Sequence, residues 1–366
     1  MRASGHYDRI LLSAILSLLV VSVVMVYSSS SVVALTTYDD PAYFMKRQIL
    51  WAIAGLVLMA ITMRLDHRLF YDRRLAIGLA VAALVMLLVT LVPGIGKMIN
   101  GSRRWLKFGL LSFQPAELAK FALVVYLSYF IAKKGERIRD FMNGLVPAYI
   151  VTGMFLVATI RQPDFGAAMT LAGVALVMLF AGGANVLHLG GTAAAALPFV
   201  YLAVAHSAYR LRRIFAFLDP WADPQGAGHQ IIQSFLAFGS GGIFGRGLGE
   251  GRQKLMFLPE RHSDFIYAVI GEELGLVGAL VVLVLFLMIL WRGMRIALAS
   301  GDAFSRLLSL GITLLVCFQG MINMAVVTGL LPTKGIALPL VSYGGSSLVI
   351  TMAAIGVLLN ISKESS

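Results

Sequence analysis

Residues 10–26 read ILLSAILSLLVVSVVMV, a run without a single charged side chain. A bilayer core about 30 Å thick needs roughly 20 such residues in one helix. Basic residues precede the run and no small-residue cleavage site follows it, so we interpret it as a first membrane span and not as a removed signal. Apolar runs of the same kind recur along the rest of the sequence.

The composition also indicates that the chain is surrounded by lipid. The sequence has 366 residues, of which 59% are hydrophobic and 13% are charged, and its mean hydropathy is +0.85. Soluble domains carry about 45–50% apolar and about 25% charged residues. A chain this poor in charge has too few polar side chains to cover a water-exposed surface. We therefore expect an all-α membrane protein.

Apolar runs between charged or Gly/Pro-rich breaks predict about ten transmembrane helices in a single polytopic domain, residues 1–366. The runs lie near residues 10–30, 46–63, 72–92, 115–132, 143–160, 165–181, 186–206, 264–291, 307–330 and 343–361. Ten spans place both ends of the chain on the same side of the membrane. One long non-membrane loop, residues 207–263, separates the seventh span from the eighth.

The net charge of +12 limits the possible partners. Its basic residues form short clusters between apolar stretches, with no basic domain that could hold a duplex, so anionic lipid, phosphate or pyrophosphate is expected and nucleic acid is not. Lys and Arg usually mark cytoplasmic loops. Here they divide almost evenly between the two sides, which leaves the orientation open. The single cysteine, Cys317, forms no internal disulfide, and the six histidines are too dispersed for a metal cluster.

Residues 258–265 read LPERHSDF and lead directly into a long apolar run. Asp264 would lie in the first turn of a helix and has two interpretations. Its carboxylate could simply complement the positive end of the helix dipole. Alternatively, it could take a proton from a sugar hydroxyl at the boundary between water and lipid. Glu272 and Glu273 follow in the same predicted helix.

Residues 113–120 read FQPAELAK and begin the fourth span. Pro115 suits the first position of a helix. Lys120 lies in an otherwise apolar helix, where it can pair with Glu117 three residues earlier. Such a pair is either structural or half of a polar site that is reached from outside.

Further polar motifs lie at the ends of other spans. They are NGSRRW at 100–105, which includes Arg103; RQPDFG at 161–166, which includes Asp164; LPTKG at 331–335, which includes Lys334; and PLVSYGGSS at 339–347, which includes Ser342. The last two indicate either irregular backbone lining a cavity at membrane level or an ordinary loop and helix start. In the ten-span arrangement all of these motifs fall on the same side as Asp264, which favours a site.

A glycine-rich passage, GSGGIFGRGLGEG at 239–251, contains Arg246. It has neither of the common nucleotide-binding fingerprints. Its backbone N–H groups could line a phosphate site, or the passage could be a flexible turn over the membrane.

These motifs, in this order, resemble the SEDS family of peptidoglycan glycosyltransferases over nearly the whole chain. The matching stretches are YSSS at 27–30, NGSRRW at 100–105, FQPAE at 113–117 with Lys120, QPD at 162–164, LPE at 258–260, HSDF at 262–265, GEELG at 271–275 and SYGGSS at 342–347. Two departures are small: Ser263 stands where the family usually has Thr, and Ala116 where Ser is usual. Both keep the local geometry.

The resemblance implies the ten-helix SEDS fold in the cell inner membrane, with both termini cytoplasmic, the 207–263 loop extracytoplasmic and the active site on the extracytoplasmic side. It implies polymerisation of glycan strands from lipid II. The family's catalytic carboxylate falls on Asp264, and polar residues of its membrane cavity fall on Glu117, Lys120 and Asp164. The LPTKG and NGSRRW motifs resemble division-type more than elongation-type members, which implies the division septum. A class B penicillin-binding protein transpeptidase and other divisome membrane proteins are the implied partners.

The resulting hypothesis is an inverting glycosyl transfer. Asp264 accepts the proton of the acceptor's 4-hydroxyl as that oxygen attacks C1 of the donor, and undecaprenyl pyrophosphate leaves. Candidates for stabilising the departing charge or binding substrate are Arg103, Lys120, Lys334, Arg246 and Ser342. A divalent cation, Mg²⁺ or Mn²⁺, could share this role, although no ligand cluster in the sequence requires one.

Three alternatives stay open from the sequence. A transporter that flips lipid II would use the same buried charges without chemistry at Asp264. An elongation-type polymerase would catalyse the same reaction elsewhere in the cell. A scaffold that only recruits partners would tolerate substitution of Asp264.

Overall fold

The computed structural model describes residues 6–99, 102–108, 111–251 and 262–364, and it is almost entirely helical. In chain order the α-helices of these residues are α1 Arg9–Tyr38, α2 Tyr43–Thr62, α3 Arg73–Val89, α4 Pro115–Lys134, α5 Val146–Arg161, α6 Phe165–Ala181, α7 Val186–Ala205, α8 Ala208–Leu218, α9 His229–Gly241, α10 Ile266–Glu273, α11 Gly275–Ala299, α12 Ala303–Val327 and α13 Gly345–Ser362. Ten of them, α1–α7 and α11–α13, coincide with the predicted spans. The expectation of about ten membrane helices is confirmed.

The lengths of these helices fit a bilayer. In the described part of the chain, seven are long and apolar enough to cross a membrane by length and composition: α1, α2, α4, α5 with the turn before it, α11, α12 and α13. Shorter apolar helices occur at α6 and α7. Helix α3 has 17 residues, which gives about 25 Å at 1.5 Å per residue and lies at the lower limit for a span.

Helix α12 lies at the centre of the bundle, where it packs against α4, α6, α11 and α13. Glycines allow two of these close approaches. A Cβ on Gly311 would lie 2.5 Å from Val124 Cγ1 in α4, and a Cβ on Gly320 would lie 2.5 Å from Phe286 Cε1 in α11. Gln319 and Asn323 on α12 are buried, so they face neighbouring helices and not lipid.

The predicted span 264–291 is in fact two helices, α10 and α11. They meet at Leu274 and Gly275, and Gly275 has a φ of 68°. Tyr267 Oη in α10 donates a hydrogen bond to Ala279 O in α11, twelve residues later, at 3.1 Å. Twelve residues of one continuous helix would separate these positions by about 18 Å. The chain therefore turns sharply back on itself, and only α11 forms the span.

A small antiparallel sheet fills the connection between α3 and α4. Its strands are β1 Gly96–Ile99, β2 Ser102–Phe108 and β3 Leu111–Phe113, in the order β1-β2-β3. This sheet was not predicted from the sequence. The sheet positions the start of α4, because Gln114 alone separates β3 from that helix.

The long loop contains α8, which carries the basic side chains Arg210, Arg212 and Arg213, and α9. Helix α9 packs so closely on α10 that a Cβ on Gly241 would lie 2.0 Å from Gly271 O.

Some motif residues lie outside the described residues: Asn100 and Gly101 of NGSRRW, and Leu258, Pro259 and Glu260 of LPE.

Polar contacts also join the helices at the end of the bundle where α1 and α12 begin, opposite the small sheet. Arg292 on α11 pairs with Asp8 at the start of α1, with Nη2 2.5 Å and Nε 2.7 Å from Asp8 Oδ2. His67 is buried, with Nδ1 2.8 Å from Asn360 Oδ1 on α13 and Nε2 2.8 Å from Ser305 Oγ on α12. These contacts fix the relative positions of α1, α11, α12 and α13.

We expect Arg292→Met to lower the free energy of unfolding by about 2 kcal/mol, between the values typical of buried and surface pairs. The reason is that the Asp8 side chain is only 4% exposed, against 22% for Arg292, and would lose its cation. Thermal unfolding in detergent measures the effect. Arg295→Met on the same helix is the control, and Asp8→Asn combined with Arg292→Met should recover most of the loss. An unchanged melting temperature in Arg292→Met would contradict the prediction.

Candidate functional site

Asp264 lies in a turn two residues before α10, and not in the first turn of a helix as expected. The N-cap position of α10 is Phe265, whose side chain makes no capping hydrogen bond. Asp264 is half-buried, and its Oδ2 lies 3.0 Å from the position that a Cβ on Gly335 would occupy. The carboxylate therefore faces the backbone of the segment that connects α12 to α13.

That connecting segment interlocks with the turn that carries Asp264. Ser342 Oγ donates to Ser263 O at 2.6 Å and accepts from Leu338 N at 2.8 Å. Tyr343 N donates to His262 O at 2.9 Å. Ser342 is 5% exposed, and its bond to Ser263 O, together with the bond from Tyr343 N, joins the segment to the turn. Contact between Ser342 and the substrate stays a prediction.

Two amide side chains on α12 hold the same segment from the other side. Asn323 Nδ2 donates to Asp264 O at 2.7 Å and to Ile336 O at 2.6 Å. One turn earlier, Gln319 Nε2 donates to Ala337 O at 3.1 Å. Neither amide was predicted from the sequence as a site residue. The spacing could have indicated them, because two amides four residues apart in an apolar helix lie on one helix face.

Glu117 and Lys120 form a buried ion pair between α4, α12 and α13. Lys120 Nζ lies 2.9 Å from Glu117 Oε1 and also donates to Gln319 Oε1 at 2.5 Å. Ser347 Oγ donates to Glu117 Oε2 at 3.1 Å. The two charged residues are only 8% and 3% exposed, so their mutual neutralisation is what makes this burial tolerable.

Asp164 caps the start of α6 and contacts the small sheet and α4. Its Oδ1 accepts from Ala167 N at 3.1 Å, and its Oδ2 accepts from Gln114 Nε2 at 3.3 Å. Arg104 Nη1 lies 4.0 Å from the same Oδ2 and so adds a positive charge next to this buried carboxylate. Arg103, the predicted residue, pairs with Met98 of β1, whereas Arg104 lies at an irregularity of the β1–β2 ladder. The structure shows no described contact between Arg103 and Asp164.

The Asp164 group and the Asp264 group meet at the start of α6. A Cβ on Gly166 would lie 2.4 Å from Ile336 Cγ1 and 3.3 Å from Gly335 O. Only a glycine allows the helix to approach the segment so closely. The structure therefore brings four motif stretches into contact: 113–120, 161–166, 262–265 and 331–347.

Lys334 lies in this cluster, next to Gly335 and outside the spans. Its Nζ contacts Met169 Sδ in α6, and Arg213 of α8 donates to the neighbouring Thr333 O at 2.9 Å. Burial lowers the pKa of Lys334 below its ordinary value, and the charge of Arg213 lowers it further. Lys334 is therefore one residue away from Gly335, the residue that the Asp264 carboxylate faces, while its own side chain lies against α6.

Arg246 lies elsewhere. Its backbone N donates to Glu272 O at 3.0 Å, and its Nε donates to Ser240 O at 3.2 Å. Glu272 is at the far end of α10, about 9 Å along the helix from its first residue, whereas Asp264 lies before that first residue. The glycine-rich passage is attached there by Gly249 N, which donates to Glu273 Oε2 at 3.2 Å. The structure does not bring Arg246 together with Asp264.

No group of three or more His, Cys, Asp or Glu side chains that could hold a metal ion occurs within the ranges the structure describes. A Mg²⁺ or Mn²⁺ ion that helps to stabilise the departing charge can be bound through substrate phosphates and would need fewer protein ligands than that. It stays a prediction.

The fold and this cluster define the class: a multi-pass α-helical membrane protein with a polar site on one side of its bundle. The family model FTSW_RODA_SPOVE, described as "Cell cycle protein", matches residues 9–366. The chain belongs to this family.

Individual relatives agree with this assignment. The "Probable peptidoglycan glycosyltransferase FtsW" of Trichlorobacter lovleyi is 50% identical over 98% of this chain and 93% of its own length. A solved structure of a peptidoglycan synthase complex that coordinates polymerization and crosslinking contains a chain of 32% identity, with a TM-score of 0.80 and 97% coverage of both chains. The rod shape determining protein RodA of Thermus thermophilus is 28% identical, with a TM-score of 0.70 over 97% of this chain and 96% of its own.

Proposed function

We propose that this chain polymerises peptidoglycan glycan strands from lipid II on the extracytoplasmic side of the membrane. The relatives named as peptidoglycan glycosyltransferases support this activity, since 50% identity extends over 98% of the chain. The observation that carries the proposal is the convergence of the motif stretches around the Asp264 carboxylate. A family resemblance alone would not require that convergence.

The reaction is an inverting glycosyl transfer. The 4-hydroxyl oxygen of the acceptor sugar forms a bond to C1 of the donor, and the bond from C1 to the pyrophosphate oxygen breaks. Asp264 takes the hydroxyl proton. The electron pair of the broken bond leaves with undecaprenyl pyrophosphate, and the configuration at C1 inverts.

The two lysines of the site have different roles in this proposal. Lys334 is adjacent to Gly335, which contacts Asp264, so its charge can stabilise the departing pyrophosphate. Lys120 is 3% exposed and already bonded to Glu117 and Gln319. We therefore assign Lys120 to the positioning of α4 against α12 and α13, beneath the reacting groups.

We further propose that the protein works at the division septum of the inner membrane beside a class B penicillin-binding protein. The names of its relatives favour the division type over the elongation type. The related synthase complex couples polymerization to crosslinking, which supports a transpeptidase partner. Other divisome membrane proteins complete the proposed assembly.

Complementation of depleted cells tests the division type. If this protein restores division to cells depleted of their division-type polymerase, but does not restore rod shape to cells depleted of their elongation-type polymerase, the division type is supported. The reverse result contradicts it.

The proposed orientation is tested by cysteine labelling in a Cys317→Ser background. Gln225→Cys in the long loop should react with a membrane-impermeant maleimide when the outer side of the membrane is accessible. Glu136→Cys, between α4 and α5, should react only after lysis. Both residues are exposed in the structure, so a lack of reaction reports sidedness and not burial. The opposite pattern would place the site on the cytoplasmic side.

Transport of lipid II is the second candidate, favoured by one observation. Helix α10 is buried along its whole length and separate from the span that follows, and discontinuous helices often surround transport sites. Translocation of labelled lipid II in proteoliposomes without polymer would make transport the better assignment.

Gel analysis of labelled lipid II tests the polymerase directly. Purified protein is incubated with the substrate alone and with its cognate transpeptidase. A ladder of glycan chains supports the proposal. Its absence under both conditions, with well-folded protein, contradicts it.

A further inference from the structure

Asn323 is a buried amide in the last turns of α12, one residue from the apolar side chains of Ile322 and Met324. Its exposure is 1%. Burying an amide in apolar surroundings is unfavourable unless its polar atoms are bonded. The partners of this side chain therefore show what the amide does.

Both N–H bonds of Asn323 go to backbone carbonyls on either side of the carboxylate. One acceptor is Asp264 O at 2.7 Å, and the other is Ile336 O at 2.6 Å. Asp264 lies outside any helix, so no helical hydrogen bond sets the position of its backbone. The amide group of Asn323 thus bridges the turn of Asp264 and the segment that faces its carboxylate, in addition to the bonds from Ser342 to Ser263 O and from Tyr343 N to His262 O.

The other atom of the amide shows that stability alone does not account for it. Within the described residues, Asn323 Oδ1 has no hydrogen-bond partner. An unpaired buried acceptor is costly, whereas an apolar side chain of the same shape would avoid that cost. The two N–H bonds are the part of the amide that the fold uses.

Gln319 extends this arrangement by one turn. It binds Ala337 O, the residue after Ile336, and it also accepts from Lys120. Neighbouring carbonyls of one segment are thus held by two amides on one helix face. Because α12 is at the centre of the bundle, these bonds hold the segment and the turn of Asp264 against a central helix.

We propose that Asn323 is a positioning residue that holds the Asp264 carboxylate in place for proton transfer, which rests on the function proposed above. A shift of about 1 Å in a reacting group can lower a rate by about 100-fold. Loss of the two N–H bonds should therefore reduce turnover more than substrate binding.

The test compares Asn323→Leu with Asn360→Leu in full-length protein incubated with its transpeptidase. Asn360 is a matched control, because its Nδ2 also donates to a backbone carbonyl, Met63 O at 2.9 Å, at the opposite end of the bundle. Initial rates at varied lipid II concentration and melting temperatures are measured. We expect kcat of Asn323→Leu to fall about 100-fold with KM within about threefold of wild type, while Asn360→Leu keeps kcat within about threefold.

If Asn323→Leu does not fold, Asn323→Ser replaces it, since a hydroxyl retains one donor in a smaller side chain. An intermediate kcat then supports positioning. A wild-type kcat in a folded variant, an increase in KM alone, or an equal loss of kcat in Asn360→Leu would overturn the inference. Absence of polymer from the wild-type protein would instead contradict the proposed function itself.

Discussion

Purified Asp264→Asn should be folded and bind lipid II but lose polymerisation by about 10²–10⁴-fold, the usual contribution of a general base. Asparagine keeps the size and the backbone contacts of the residue, including the bond from Asn323 to its carbonyl. It cannot accept the proton of the acceptor hydroxyl. The substitution therefore separates the chemical step from the architecture of the site.

The control for this experiment is Asp39→Asn. Asp39 is exposed at the end of α1 with a φ of 55°, a conformation that asparagine tolerates well. Polymer from Asp264→Asn at the wild-type rate, with a normal melting temperature, would remove Asp264 from the mechanism. Wild-type growth of cells that depend on Asp264→Asn would favour a scaffold that only recruits partners.

Lys120→Met should produce the second large effect. Removing the ammonium leaves Glu117 as a buried carboxylate without its cation, and breaking a buried pair costs about 3–5 kcal/mol. We expect a strong fall in both melting temperature and polymerisation. Both are measured on the same preparation, and methionine keeps the length of the side chain.

A double variant separates structure from function here. Glu117→Gln combined with Lys120→Met removes both charges and should recover much of the melting temperature. If the pair belongs to the site, activity stays low although stability returns. Recovery of activity together with stability would mean that the pair only holds α4 against α12 and α13.

Much of the fold could be predicted because apolar length is a strong signal. The ten membrane helices follow from runs that no soluble domain would carry. The break between α10 and α11 was missed because apolar runs flank it on both sides, although Glu272 and Glu273 interrupt them directly before it. Gly275 marks the reversal, but a glycine in an apolar run has many other uses. The sheet was missed because β1 has 4 residues and β3 has 3.

The site was predicted only in part, for a related reason. Motif stretches at the ends of different helices were expected on one side, and their mutual contacts confirm that grouping. Charged residues attracted attention, whereas the neutral amides Gln319 and Asn323 did not. Choosing Arg104 in place of Arg103 required knowledge of strand β2, which was not predicted from the sequence. Arg246 was predicted as a site residue because of its charge. In the structure its backbone N is bonded to Glu272 O, at the end of α10 away from Asp264.

The contacts at the opposite end of the bundle have a consequence for biogenesis. Asp8 pairs with a residue 284 positions later, and its backbone N donates to Ser362 Oγ, 354 positions later. Helices enter the membrane in order during synthesis, at about 5–20 residues per second. The first helix is therefore in the bilayer for most of translation before Arg292 and Ser362, which bind Asp8, are synthesised. The last helix also supplies Ser346, whose Oγ accepts from Gln114 N, and Ser347, whose Oγ donates to Glu117. A chain that stalls before this helix would therefore lack contacts at both ends of the bundle.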